Sequence, residues 1–375
     1  SALRRYSMDD MLKKSGDFKF PTFLLKIYGK QIPQIYCNGD VEAELSADYE
    51  ASGCKIRLYN AFVVENGKQA ALAKDLSALM KLGNKVELSI GYREKELEQI
   101  FVGYIDALSV EYDKEEGICY ILECLDGKGI MMNSLRSEVK VNMKKYSAVV
   151  EDTVKKYSAV VKIKSTDLDK TDAQLSVPIE QHNESDYQFL VRLAKKMDCC
   201  FYIENGNLVF KPYAKLPKDV FFSYHINAFL LSFYMHNSLK GQVAGVTVRA
   251  NNEKDPNTPF EAKVTSGKGI ADNASIKMKS TSVITNDVSQ TIIDLSADSE
   301  TAARNLAQAR YNALSYGRYQ GRIRTVGIPV MLPGRVIALE GFGAEFDKKY
   351  FVKKVIHRIA HQRYITECEL EGNQI

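Results

Sequence analysis

No run of about 18 apolar residues occurs in the 375-residue chain, so nothing in it reads as a membrane-spanning helix. The opening stretch SALRRYSMDDMLKKSGDFKF also lacks the apolar centre of a secretory signal, which leads to the expectation of synthesis in the cytoplasm. A disulfide framework is equally unsupported. The seven cysteines are odd in number and sit in apolar runs such as GICYILECLD and ITECEL, the setting of reduced core residues.

Metal and nucleotide signatures are missing as well. The nearest zinc-like spacing is His357-x-x-x-His361, but its surroundings alternate with a strand period, which puts the two imidazoles roughly 13 Å apart on one strand face. Asp167, Asp169 and Asp172 begin like a calcium loop. Its sixth position is not glycine and its twelfth is Pro178, so a solvated turn is expected. Gly341-x-Gly343 has no βαβ unit around it and reads as hairpin glycines. No cofactor and no metal are therefore expected.

Net charge is small, with 51 Lys and Arg against 47 Asp and Glu. The segment after Thr301 is nevertheless basic, with Arg318, Arg322, Arg324, Lys353, Lys354 and Arg358 among others. This reads as the solvated face of a β domain, the alternative being a polyanion- or cell-surface-binding module whose affinity would fall steeply with salt. No specific nucleic-acid site is expected, since Tyr311, Tyr316 and Tyr319 read as packed residues. A second alternative, a cell-wall glycan hydrolase, would need two carboxylates held in one pocket. Glu111, Glu115, Glu116, Glu180 and Glu184 are the candidates, and all lie in charged segments. A cysteine nucleophile paired with His182 or His225 lacks a nucleophile-like turn. No catalytic residue is assigned.

What the chain does contain is β structure in quantity. Thr22 to Tyr28, Val41 to Leu45, Lys55 to Tyr59, Lys85 to Tyr92, Gln99 to Tyr112 and Ile118 to Asp126 are rich in β-branched and aromatic residues with period-two stretches. Between them, KQAALAKDLSALMK predicts a helix over 68–81 that stops at Gly83-Asn84. A polar lead-in, 1–20, precedes them as a mobile arm or docking segment. Lys144 to Val150 recurs as Lys155 to Val161, and the first copy is expected to open a helix capped at Ser147. Residues 265–298 have few large apolar side chains and read as long surface loop or weak strand.

The most informative stretch is Ile179 to Phe210. Ser185 and Gln188 have capping-box spacing; Phe189, Leu190, Leu193, Ala194 and Met197 then mark one apolar helix stripe. Asn205-Gly206 supplies the positive φ angles of a tight hairpin. A second helix, over 299–316, is followed by Pro329 to Gly334, VIALEG, and the pattern Tyr350-x-Val352-x-x-Val355-x-His357.

These two patterns together resemble the hub proteins of contractile injection systems: the phage late control D proteins, the hub part of VgrG spike proteins and the baseplate hubs of contractile tails. The resemblance covers roughly Glu180 to Leu370. It implies a mixed α+β, mainly β fold of two tail-tube-like β-barrels separated by a small α+β domain. The layout expected is a polar arm at 1–20, a first barrel at 21–130 and a middle domain at 131–235 with helix 185–197 and hairpin 200–212. A second barrel follows at 236–375, with helix 299–316.

It further implies a non-enzymatic homotrimer, whose ring adapts a six-fold tail tube protein to a separate trimeric spike protein within a bacterial phage-like particle. Other baseplate proteins would be neighbours. Asn251, Asp255 and Asn257 in one loop, and Lys268, Lys277 and Lys279 in the next, are the expected contacts with them.

Overall fold

The computed structural model describes residues 4–65, 67–226 and 229–375. Strands account for 43% and helices for 18%, so the molecule is mainly β. Period-two alternation drives this outcome: in Lys85–Tyr92, Val86, Leu88 and Ile90 are fully buried while Lys85, Glu87 and Ser89 point away from the core, as a strand with one buried face requires.

Thirteen strands form one continuous sheet. From one edge it runs Leu230–Asn237, Tyr319–Val326, Arg363–Gly372 and Lys349–Ala360. It continues through Val41–Ser46, Gly53–Leu58, Gly117–Leu125, Glu98–Asp113, Lys85–Tyr92 and Pro21–Ile27 to the short Lys30–Gln31. Val220–His225 lies parallel to Val336–Glu340, which pairs in turn with the start of Lys349–Ala360.

The expectation of two separate barrels is corrected here. The regions expected as first and second barrel share a sheet, joined where Lys349–Ala360 pairs with Val41–Ser46 from Ile359↔Val41 to Lys354↔Ser46, and no closed barrel is found among the described residues. Strand alternation is the same in a barrel and in a shared open sheet, so sequence pattern does not separate them. A register shift between Val352 and Lys354 divides the strand between its two sets of neighbours. Ile359 and Tyr364 accordingly belong to the core around Phe23, Leu25, Leu88 and Leu122. The other core gathers Tyr224, Ile323, Met331, Ile337 and Tyr350.

The N-terminal segment is docked across both cores. Helix α1 (Met8–Ser15) is held by a reciprocal capping box between Ser7 and Asp10. Tyr6 N–H donates to the Phe221 carbonyl at 2.9 Å, and Met11 lies in the second core. On the other side Lys14 pairs with Glu98 at 2.5 Å. The helix expected over 68–81 is also corrected. Lys68–Leu72 is a strand paired with Phe62–Glu65, and only α2 (Lys74–Ser77) is helical. Hairpin pairing through the Gly67 turn (φ 75°) overrides the alanine-rich propensity, and Ala73, Leu76 and Met80 are buried in the first core with Leu72 and Leu79 packed against it.

Helix α3 (Gly127–Met131) leads into the middle unit. There α4 (Tyr146–Lys155) and α5 (Asp186–Met197) share an apolar core with the three-stranded sheet of Lys162–Leu168, Asn207–Pro212 and Cys199–Glu204. The repeated KKYSAVV is split as expected, its first copy opening α4 and its second leaving it. Ser147 is not the cap, however; its N–H donates to the Asp172 carboxylate at 3.2 Å. Helix α6 (Glu300–Ser315) belongs to neither half of the large sheet. It covers a separate sheet of Phe260–Val264, Gly245–Ala250 and Ser289–Asp294, with Ala303 and Ala307 fully buried in the contact. Residues 265–298 are, as expected, mostly turn and irregular backbone, broken by the two-residue strands Gly267–Lys268 and Ser275–Ile276 and by one longer strand. The longer strand, Ser289–Asp294, runs parallel to Gly245–Ala250, and the segment buries Ile284 and also Ile276 and Met278, the last two in the core shared by α6 and the strands Gly245–Ala250 and Phe260–Val264.

Candidate functional site

Along the strands of the large sheet, residues that alternate with the buried ones form a charged outer face. Across it Arg322 stands opposite Glu369, and Arg324 opposite Glu367. Glu369 stands opposite Lys354 on its other side, and Arg358 opposite Glu42. Glu42 then faces Lys55, which faces Glu123. Lys354 reaches Glu44 at 3.3 Å, Arg358 reaches Glu42 at 3.0 Å and Arg57 reaches Glu111 at 2.6 Å. Such exposed pairs each add at most ~1 kcal/mol, so their main effect is to neutralise the surface. Two of the cations that made the C-terminal third look basic, Lys354 and Arg358, pair with carboxylates of the strand Val41–Ser46.

One edge of this sheet is uncovered. Leu230–Asn237 pairs only with Tyr319–Val326 among the described residues, and Leu231 and Tyr234 are exposed on it, with Ile226 just before. A long edge strand with apolar side chains is a template for another chain. The opposite edge is blunted: Lys30–Gln31 covers part of Pro21–Ile27, and the Gln34 amide donates to the Phe23 carbonyl at 3.0 Å.

Three buried polar groups tie segments together that are distant in the sequence or lie in different elements. Lys128 in α3 is wholly buried. Its ammonium donates to the carbonyls of Asp48, Tyr49, Glu50 and Phe201 at 3.0, 3.1, 3.2 and 2.5 Å. Burial pulls it down to about 8 and pushes neighbouring Asp126, the cap of α3, up to about 6. Asp198 ends α5 in a left-handed conformation and accepts from Asn312 and Tyr316 of the α6 region, both at 2.8 Å. Burial raises its carboxyl to about 7.

His357 is the third. Its Nε2–H donates to the Met331 carbonyl at 2.7 Å, and the Tyr364 hydroxyl lies 2.6 Å from Nδ1. A carbonyl only accepts, which fixes the tautomer. Burial lowers this imidazole to about 4, so it is neutral and ties Met331 in the Pro329–Gly334 turn to the sheet. The sequence singled out His357 but not Lys128 or Asp198, whose only signals are a helix-cap aspartate two residues before one and an apolar strand after the other.

The apolar motif residues lie in the cores, while Gln188 is exposed and Asn205 half-buried. Ser185 Oγ accepts from Gln188 N–H, and Gln188 Oε1 from Ser185 N–H, both at 3.0 Å. Phe189, Leu190 and Leu193 are fully buried against the middle sheet. Asn205 and Gly206 turn the hairpin with φ of 48° and 80°, and the Asn205 amide donates to the Gln99 carbonyl at 3.1 Å. Arg335 forms an ion pair with Glu204 of the same hairpin. Tyr350, Val352 and Val355 fill the second core.

The residues expected to contact neighbours are less unified. Asn251, Asp255 and Asn257 belong to a loop closed by its own bonds, with Asp255 accepting from Thr258 at 2.8 Å and from Asn257 N–H at 3.2 Å. Lys268, Lys277 and Lys279 are exposed on another segment, where Lys279 donates to Asn286 at 2.9 Å. No hydrogen bond or ion pair joins the two groups among the described residues.

The structure does not gather the candidate carboxylates into one pocket: Glu111 pairs with Arg57 and Glu184 with Arg192, while Glu115, Glu116 and Glu180 are exposed. All seven cysteines are buried and unpaired, and burial pushes Cys37 up to about 11 and Cys200 to about 12. Among the described residues no group of three or more metal-ligating side chains is found, and no helix is long and apolar enough to cross a membrane.

A family model described as the Alg8 N-terminal domain matches residues 22–361. No curated protein matches the sequence. Among solved structures, the 43 kDa tail protein of prophage MuSo2 from Shewanella oneidensis aligns over 93% of this chain and 98% of its own, at 13% identity and a TM-score of 0.64. The tail protein from Neisseria meningitidis MC58 aligns over 94% and 96%, at 12% identity and a TM-score of 0.66. The E. coli c3393 protein, a type VI secretion component described as similar to the T4 tail proteins gp27 and gp5, aligns over 92% and 76%, at 11% identity and a TM-score of 0.52. At these identities the likeness is one of fold.

Proposed function

The chain belongs to the Alg8 N-terminal domain family, and we propose that it is a structural hub of a contractile injection machine, three copies forming a ring between tail tube and spike. The observation that carries this reading is the sheet shared by both halves, with its charge-balanced outer face and its uncovered edge Leu230–Asn237. Its fold likeness to two phage tail proteins and a type VI secretion component supports the same assignment. The ring closes head to tail, each edge strand meeting the next copy, as cyclic symmetry requires. Three copies with two sheet halves each present six similar units to a six-fold tube protein, while the three-fold axis suits a separate trimeric spike. The alternation of charge on the outer face gives a surface that holds neither polyanion nor polycation strongly. Other baseplate proteins meet the loops at 251–257 and 265–298. In this reading the chain catalyses nothing and works inside a phage-like particle.

Light scattering over a concentration series, with and without the tube and spike proteins encoded nearby, tests the ring. A trimer that is lost in the double variant Leu231→Lys, Tyr234→Glu is expected. A stable dimer, or a chain that stays monomeric even with both partners, refutes it.

A further inference from the structure

The two-stranded ribbon of Arg136–Lys140 and Ile179–Glu184 is built inside out on its first strand. Its polar side chains turn toward the middle unit: Arg136 bonds Asp186, itself fully buried, at 3.1 Å, and Lys140 reaches Glu138 at 2.5 Å and Asp152 at 3.8 Å. The alternate positions in and beside the strand, Leu135, Ser137, Val139 and Val141, point to solvent, and all but the serine are apolar: Leu135, Val139 and Val141 are 68%, 52% and 65% exposed. Ile130 in α3 and Met132 just after it are exposed as well. A strand hides its apolar set wherever it has a partner, and an exposed apolar row on an uncovered edge marks a docking place. Among the described residues the outer edge of Arg136–Lys140 pairs with nothing.

Charge says what fits there. Residues 134–164 hold eight Lys and Arg against three Asp and Glu. Lys156 is exposed, forms no ion pair among the described residues, and stands close enough to Glu138 and Asp186 to lower both carboxyls. Its charge therefore acts on the polar side of the ribbon, where Arg136 and Lys140 are already paired with carboxylates. Exposed Lys144 follows the strand by four residues.

We propose that this edge takes up an extended segment of another protein in which apolar and acidic residues alternate. The segment adds a third strand beside Arg136–Lys140. Its apolar side chains cover Val139 and its neighbours, and its carboxylates reach Lys156 on the other side, as the two-residue period of a strand dictates. This inference does not depend on the ring.

The test uses the full chain and two fluorescein-labelled nonapeptides, one alternating valine with glutamate and one alternating valine with lysine, read by anisotropy. Binding of the glutamate peptide alone is expected, weakening as salt is raised, with amide exchange slowed at 136–140. Val139→Ser and Lys156→Glu, both exposed changes whose folding is checked by circular dichroism, should each weaken binding about fivefold or more. Equal binding of both peptides, no binding of the glutamate peptide, or protection elsewhere overturns the proposal. So does loss of oligomer mass in Val139→Ser, which would assign the ribbon to contact between copies.

Discussion

Replacing Lys128 by methionine should be among the costliest single changes in the chain. Methionine keeps most of the stem but removes the ammonium, leaving the carbonyls of Asp48, Tyr49, Glu50 and Phe201 without their donor and Asp126 without its nearest positive charge. The carbonyls of 48–50 are able to regain water. That of Phe201, on a fully buried residue, and the buried Asp126 carboxyl are not. Breaking one side of such a buried arrangement costs ~3–5 kcal/mol.

The loss should also depend on pH. Asp126 already titrates at about 6 rather than 3.8, so the folded state holds its proton more tightly and this group's contribution falls as pH rises through that window. Without Lys128 the carboxyl moves higher still, and the penalty at pH 7.5 should exceed that at pH 5 by ~1–2 kcal/mol. Urea unfolding followed by tyrosine fluorescence measures both, and adding Asp126→Asn should recover the difference. A loss below ~1 kcal/mol at pH 7.5, or one that does not change with pH, would refute the reasoning.

Ser185→Ala should cost ~1 kcal/mol by removing the cap of α5, while Ser185→Asp keeps most of it; melting curves decide. Gly206→Val should disrupt the hairpin, since φ is +80° and the new Cβ would lie 3.1 Å from Val102; thermal melting and amide exchange at 199–212 are the readouts, and unchanged values would count against the turn. Asp198→Asn should raise stability at pH 8 by ~1–3 kcal/mol and leave pH 4 nearly unchanged, because the raised carboxyl, at about 7, withdraws stability as pH climbs from 3.8 through 7. His357 has the opposite sign. Lowered to about 4, it contributes above pH 6.5 and loses that contribution as pH falls toward 4, so His357→Gln should flatten the acid limb of a pH–stability curve.

Local features were legible in the sequence because their causes are local. The Ser185–Gln188 box, the Asn205-Gly206 turn and the alanine stripe of α6 are each decided within a few residues. The stretch at 68–81 failed for the same reason in reverse: its alanines favour helix alone, and pairing with Phe62–Glu65 overrules them. What the sequence could not carry was partnership across long distances. Nothing near Val41 says that Ile359 will lie opposite it, and nothing near Ser299 says that α6 covers a sheet of its own rather than a barrel. Lys128 was missed because a buried lysine and a solvated one look alike until the carbonyls around it are placed.

The strand Lys349–Ala360 has a consequence for how the protein comes into being. Ile359 and Tyr364 complete a core whose other members begin at Phe23, so that core has a gap until residues some three hundred positions later have been made. During synthesis the early strands must wait with an edge at Val41–Ser46 exposed, the condition in which chains meet the wrong partners. Folding should therefore be slow, and chaperone demand should end only when the segment 349–372 arrives.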